Sequence, residues 1–271
     1  MFVQPILAAV CIAGQCAANQ NAVVWENDKA AFYAYGPGNY HVWTGIDIFN
    51  KSVPGPVATA WSSDPALNVF SKHPNIHDNR GEGMDNYTMG AARGVGAVAL
   101  WADGEWKTYV AWESFELLHA GDDYVEFKLV YPGFSALGKM IYCVRLDAGS
   151  RFYRNDVTFE HPERFRKDWR VGPGLDLDPA RDHRGDLVDE QGLVSLFEMP
   201  KGAAGADGST MTAIVAPAGS DVEMMTDRLN CRVIGFKKAS FTYYAGAAWS
   251  LAGEVTTAAD WHRLARSRAA E

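Results

Sequence analysis

The stretch Tyr124 to Tyr131 sets the tightest limit on what this chain can become. Val125, Phe127 and Leu129 point one way while Glu126 and Lys128 point the other, and a period of two belongs to a half-buried strand rather than a helix. The pattern recurs along the sequence. Trp106 to Trp112 alternates, and Lys139 to Leu146 and Phe152 to Glu160 repeat the theme on either side of Asp147-Ala-Gly-Ser150. Ala31 to Tyr35 ends at Gly36-Pro37-Gly38, and the strand-like run Thr44 to Lys51 stops at Val53-Pro-Gly-Pro56. Gly94 to Trp101 carries glycines that suit close approach of neighbouring backbone, and Ala102-Asp103-Gly104 is a hairpin-type turn. Further strands are expected at Leu193–Phe197, Met211–Val215, Cys231–Phe236 and Phe241–Tyr244. Closely spaced turns without a βαβ rhythm point to an all-β chain, a large antiparallel β-sandwich. The one clear helix is short and C-terminal, with Thr257-Ala-Ala-Asp260 resembling a capping box and Trp261, Leu264 and Ala265 on one apolar face. Lys201 to Thr210 is glycine-rich and reads as a flexible loop within the domain.

The 271 residues are 48% hydrophobic, enough to bury a substantial core. With 33 acidic against 25 basic residues, the formal charge of −8 argues against a protein that grips nucleic-acid phosphates. Ile6 to Gly14 is an apolar run too short to span a bilayer, and Cys16-Ala17-Ala18 offers a small-residue cleavage pattern. Residues 1–18 therefore read as a signal peptide and 19–271 as one β-sandwich domain, periplasmic or secreted, with no membrane span. The alternative is that the apolar run is a buried first strand. With the signal peptide removed, Cys143 and Cys231 remain, either as one disulfide or as buried thiols, and four cysteines without CxxC spacing make a structural zinc site a poor fit.

Function concentrates in Ser71 to Gly90, SKHPNIHDNRGEGMDNYTMG. Pro74 and the glycines at 81 and 83 exclude a regular helix, and a polar loop rich in proton-transferring groups on a rigid scaffold is a natural place for a site. His73 and His77 have the spacing of helical metal ligands, but Pro74 removes the helix. No cofactor is expected, although Asp78, Glu82 and Asp85 supply the oxygen ligands that one structural divalent cation would need. There is no G-x-S-x-G elbow, no Walker A loop and no complete dinucleotide fingerprint. A second polar region, Val171-Gly-Pro-Gly-Leu-Asp-Leu-Asp178, follows the basic run Arg164 to Arg170. That run is either a charged outer face or an arginine fork for an anionic ligand. Trp249, after Tyr243 and Tyr244, is either core or a sugar platform.

Several blocks in order resemble a family. Trp25-Glu-Asn-Asp28, Ala31 to Pro37, Gly45-Ile-Asp-Ile48, Gly81-Glu-Gly-Met-Asp85 with Tyr87 and Gly90, Leu146 to Ser150, Val171 to Leu175, and Tyr243 to Trp249 with Trp261 are together similar to bacterial domain-of-unknown-function family 4861. In that family the W-E-N-D block commonly follows another β-rich portion, which is expected to be missing here. The resemblance implies a galactose-mutarotase-like β-sandwich from polysaccharide-utilisation systems, and a lyase or dehydratase acting on the terminal uronic acid of an oligosaccharide. Such a reaction takes the C5 proton, neutralises the adjacent carboxylate and protonates the oxygen leaving C4. The expected catalytic set is His77 or Tyr87 as base or acid, Arg80 as carboxylate clamp, and Glu82 or Asp85 orienting the imidazole. His41, Arg93, Arg170, Tyr244 and Trp249 are the expected substrate-binding residues. The alternatives are a glycoside hydrolase using two of Glu82, Asp85, Asp176 and Asp178, and a non-catalytic carbohydrate-binding module relying on Trp43, Trp61, Trp249 and the tyrosines.

Overall fold

The alternation read at Tyr124 to Tyr131 is matched by strict inside–outside burial in the computed structural model, which describes residues 11–16, 21–37, 45–63, 76–89, 92–108, 111–133, 135–181 and 184–270. A first five-stranded sheet runs in chain order through β1 (Ile12–Cys16), β2 (Ala22–Glu26), β3 (Ala31–Ala34), β4 (Ile46–Lys51) and β5 (Gly83–Met84). A second is built from β6 (Val95–Ala102), β7 (Glu105–Thr108), β12 (Arg170–Asp176), β16 (Val222–Thr226) and β17 (Cys231–Phe236), in the order β16-β17-β12-β6-β7. The third sheet has eight strands. It contains β8 (Ser114–Ala120), β9 (Tyr124–Tyr131), β10 (Met140–Asp147), β11 (Phe152–Phe159), β13 (Gly185–Glu190), β14 (Leu193–Glu198), β15 (Thr210–Val215) and β18 (Phe241–Trp249). Its order is β13-β14-β15-β18-β11-β10-β9-β8. Every strand pair in the three sheets is antiparallel.

The two five-stranded sheets meet edge to edge at a single parallel bridge, Ile46 to Gly94. Gly94 has φ 59°, and a Cβ there would lie 2.0 Å from the Ile46 carbonyl oxygen, so only glycine allows this junction. One face of the eight-stranded sheet packs against both. Trp25 of β2 lies 5.2 Å from Phe127 and 5.5 Å from Tyr153 between ring centroids, and Phe236 of β17 stacks on Phe241 of β18 at 4.4 Å. Each such buried side chain contributes about 1.5–3 kcal/mol. The result is the expected large antiparallel sandwich.

Two helices cover the outer faces. Helix α1 (Val57–Ser63) lies on the outer side of the first sheet, where Val57, Ala58 and Trp61 pack with Val24, Tyr33, Phe49 and Ile76. The sequence gives no sign of it, because its N-terminal N–H groups are satisfied by the distant Glu26 carboxylate, at 2.8 Å from Thr59 and 3.3 Å from Ala58. Helix α2 (Ala258–Ala269) starts at Thr257, whose hydroxyl accepts from the Asp260 N–H as the capping box requires. It covers the outer face of the eight-stranded sheet through Trp261, which stacks on Phe152 at 5.3 Å and donates to the Thr212 carbonyl. Residues 12–16, part of the run that reads as an export segment, form β1 and pair with β2 along their length. Cys143 and Cys231 are free thiols in different sheets. No helix among the described residues is long and apolar enough to cross a membrane.

Helix α2 also carries a buried histidine tether. His262 Nδ1 lies 2.8 Å from the Ser195 hydroxyl of β14, both side chains are buried, and His262 Nε2 has no partner. Burial, helped by Arg266, lowers the His262 pKa, against weaker opposition from Asp186 and Glu190. A histidine whose folded pKa is lowered gives its full contribution above its unfolded pKa, and loses it as pH falls through the folded value. Acidification below the ordinary histidine range is therefore expected to loosen α2. Hydrogen exchange of the Trp261–Leu264 amides, corrected for intrinsic rate, should rise between pH 7 and pH 5 in the wild type and stay flat in His262→Gln. Equal pH dependence in the two proteins would refute this.

Candidate functional site

The polar segment is fixed to the first sheet along both sides. Met84 and Gly83 of β5 pair with Asn50 and Lys51 of β4. The Ser52 N–H donates to the Glu82 carbonyl at 2.9 Å, its hydroxyl to the Gly81 carbonyl at 3.0 Å, and the Asp85 N–H to the Ile76 carbonyl at 2.8 Å. Asn86 reaches across to the eight-stranded sheet, where its side-chain oxygen accepts from Thr210 at 3.1 Å and its amide donates to the Asp207 carbonyl at 3.2 Å. The glycine-rich stretch after Lys201 is ordered rather than loose. Lys201 and Gly208 bridge each other, and the Asp207 carbonyl also accepts from the Trp249 indole at 2.8 Å.

This anchoring divides the five expected catalytic residues. His77, Arg80 and Glu82 are exposed, whereas Asp85 and Tyr87 are buried. His77 Nδ1 is 2.7 Å from the Asp85 carbonyl oxygen. A carbonyl only accepts, so Nδ1 carries the proton and Nε2 is the basic atom of the neutral ring. Asp85 thus orients the imidazole, but through its backbone and not its carboxylate. Glu82 is turned elsewhere, accepting from the Trp61 indole at 3.3 Å, with the Arg80 guanidinium 5.2 Å from the same ring. The loop therefore does not gather Asp78, Glu82 and Asp85 into a cation cage, and no group of three or more histidine, cysteine or acidic side chains placed to hold a metal occurs among the described residues.

Beneath the loop lies an acid-rich interior that sequence reasoning missed. Tyr33 of β3 is directly opposite Asp47 of β4, and the Tyr35 hydroxyl donates to the Asp47 carboxylate at 2.9 Å. Asp85 lies against this pair from above, with Oδ1 unpartnered, as is the hydroxyl of the fully buried Tyr33. Burial first, and then the charge of Asp47, raises the Asp85 pKa well above the carboxylate range, against the Tyr87 N–H and Lys201. Burial likewise raises the Tyr87 phenol, with Asp176, Glu198 and Asp47 adding to the effect. Lys201 is the nearby cation. It is 2.8 Å from the buried Glu198 carboxylate, donates to the Asn86 carbonyl at 2.9 Å, and stands 5.9 Å from the Tyr87 ring centroid. Asp47 and Lys201 left no signal in the sequence, one being a lone carboxylate in an apolar strand and the other the first residue of a glycine-rich loop.

The raised Asp85 pKa makes a signed prediction. An acid with a raised folded pKa contributes fully below its unfolded pKa, and that contribution is lost as pH rises through the folded value. Asp85→Asn, neutral at every pH, should therefore gain stability relative to the wild type as pH rises from about 4 to 8. A constant difference between the two denaturation midpoints over that range would show that Asp85 ionises normally.

The expected binding residues are scattered. Arg93 is buried and donates through Nε to Asp227 at 3.1 Å, in space that Gly174 provides, since a Cβ there would lie 2.7 Å from Arg93 Cγ. It is spent on the core. Arg170 is held by Glu223 at 2.8 Å and by the Lys167 and Trp169 carbonyls, at the opposite end of β12 from Asp176, about 20 Å away at strand rise. Tyr244 lies under the Arg268 guanidinium of α2, 5.1 Å from ring centroid to Cζ, and Trp249 is buried. His41 and His73 lie outside the described residues.

A family profile described as "Domain of unknown function (DUF4861)" matches residues 17–270. An uncharacterized protein of Formosa agariphila is 28% identical over 262 residues, which cover 88% of this chain and 62% of that relative. The chain thus spans less than two thirds of the relative's length. Among solved structures, a GH36 α-galactosidase of Geobacillus stearothermophilus in complex with raffinose aligns with 97% of this chain and 43% of its own, at 10% identity and a TM-score of 0.29. That likeness is too slight to bear on function.

Proposed function

Because the chain belongs to the DUF4861 family over nearly its whole length, we propose that it is a carbohydrate-active lyase that removes water from the terminal uronic acid of an oligosaccharide. One observation carries the reading: the Asp85 carbonyl fixes an exposed imidazole, His77, in the tautomer whose basic atom is Nε2. His77 takes the C5 proton, the electron pair closes the C4–C5 double bond, and the C4 oxygen leaves as water with the proton returned by the imidazolium so formed. The Tyr87 phenol, expected to share the acid–base work, is buried in the core and takes no part in this step. Arg80, the carboxylate clamp expected from the sequence, is exposed on the same loop with its guanidinium over the Trp61 ring, so the carboxylate of the substrate needs a cation from elsewhere in the fold. Export to the periplasm or medium belongs to the same proposal, and the mass of the mature chain tests it, since cleavage after Ala18 would remove β1.

A second reading rests on Asp85. Burial and the charge of Asp47 raise its pKa, which suits the acid of a glycoside hydrolase, and because both carboxyl groups are buried the loop must open for it to act. Incubation with uronate-terminated oligosaccharides separates the readings. Ultraviolet absorbance of a conjugated enol ether without new reducing ends supports dehydration. New reducing ends without absorbance support hydrolysis, and binding with neither leaves a carbohydrate-binding module.

A further inference from the structure

An anionic sugar needs a cationic seat, and Arg93 and Arg170 are committed to Asp227 and Glu223. A different pair lines a cavity at the foot of the loop. Asp28, Lys29, Lys51, Ser52, Arg151 and Glu254 border about 140 Å³, roughly the volume of five waters. Ser52 is the residue that holds the Gly81 and Glu82 carbonyls, so the cavity adjoins the candidate site. Lys51 has no donor to spare, its three N–H groups being taken by Glu26 and the Asn27 and Gly55 carbonyls. Lys29 and Arg151 both point at one carboxylate, that of Glu254.

Each Glu254 oxygen has its own cation. Lys29 Nζ donates to Oε1, and Arg151 Nη2 donates to Oε2 at 2.9 Å. Arg151 is the fixed partner. The Arg151 side chain is 6% exposed and anchored by a second bond to the Lys29 carbonyl at 3.1 Å, while the Glu254 side chain is 51% exposed. Glu254 also follows Gly253, whose φ of 84° and open surroundings suit a loop that can swing. Asp28, 3.8 Å from Lys29, is the remaining acid of the cavity rim, and it is engaged by the Gly149 N–H. With Glu254 displaced, two cations face one carboxylate.

We propose that Lys29 and Arg151 form a seat for the carboxylate of a uronate sugar, and that Glu254 is the internal occupant the ligand must displace. The seat deepens the uronate reading by naming where the acid group is held, and it is tested by binding alone. In calorimetric titrations, methyl glucuronide should bind the wild type while methyl glucoside binds at least about tenfold more weakly, as charge-assisted bonds require. Glu254→Gln should bind the glucuronide about tenfold more tightly, because the competing charge is gone, and Lys29→Gln about tenfold more weakly. Arg151→Gln should lose binding. If that buried substitution fails to fold, Lys29→Gln still decides the matter. Equal affinity for the two glycosides, no binding by either the wild type or Glu254→Gln, or loss of binding in Arg80→Gln with Lys29→Gln unaffected would each overturn the seat. Binding as expected without any dehydration would instead sink the lyase reading and leave the seat standing.

Discussion

His77→Ala is expected to lower turnover of a uronate-terminated oligosaccharide by about 10²–10⁴-fold, the usual worth of a positioned general base. The fold should hardly notice. His77 is exposed, so the unfolding free energy should change by no more than about 1–2 kcal/mol. Tyr87→Phe should leave turnover within a few-fold of the wild type, since the phenol is buried in the core under Lys201 and reaches no substrate. Steady-state rates from enol-ether absorbance, together with denaturant midpoints, check both. The contrast is the informative part: a loss confined to His77→Ala puts the proton transfer on the exposed imidazole alone. Full activity in His77→Ala would mean that the centre lies elsewhere.

The strands and the last helix were legible in the sequence because their signals are local. Val125, Phe127 and Leu129 declare one face of β9, and Thr257 with Asp260 declares the start of α2 without reference to anything distant. Helix α1 was not legible, because its cap is Glu26, 32 residues before Ala58, and a short run after Pro56 has no propensity strong enough to speak for itself. The loop at 76–89 could be recognised by its residues but not by its side-chain directions. Which groups turn outward follows from the pairing of Gly83 with Lys51 and of Asp85 with Ile76, a tertiary register. Arg93 illustrates the same limit. As an arginine beside a glycine-rich strand it reads as a ligand clamp, and only the fold reveals Asp227, 134 residues later, as its partner. Asp47 went unnoticed because a single acid in a strand-like run usually faces solvent. Here the outer face of the first sheet is itself covered, and Asp47 is buried with Tyr33 and Tyr35.

Lys51→Met is expected to produce the largest loss of stability, about 3–5 kcal/mol, the cost of removing one partner from a buried ion pair. The Lys51 and Glu26 side chains are 1% and 0% exposed and 2.8 Å apart. Deleting the ammonium leaves the Glu26 carboxylate buried against only the N–H groups of Ala58 and Thr59, and strips the Asn27 and Gly55 carbonyls of their donor. Methionine fills the volume but replaces none of those bonds. Against a typical total of about 5–15 kcal/mol, the urea midpoint should fall steeply. The double variant Glu26→Gln with Lys51→Met should lose less than the sum of the singles, because no uncompensated charge remains. Additive losses would mean that the pair contributes packing and not charge balance. The consequence reaches the candidate site, since Lys51 is also the β4 residue opposite Gly83, and the next residue, Ser52, holds the Gly81 and Glu82 carbonyls. Loosening that end of β4 frees the segment that aims His77. Lys51→Met should therefore lose turnover even at temperatures where it remains fully folded, whereas Arg93→Met, which breaks a buried pair in the second sheet, should lose stability without that extra loss of rate.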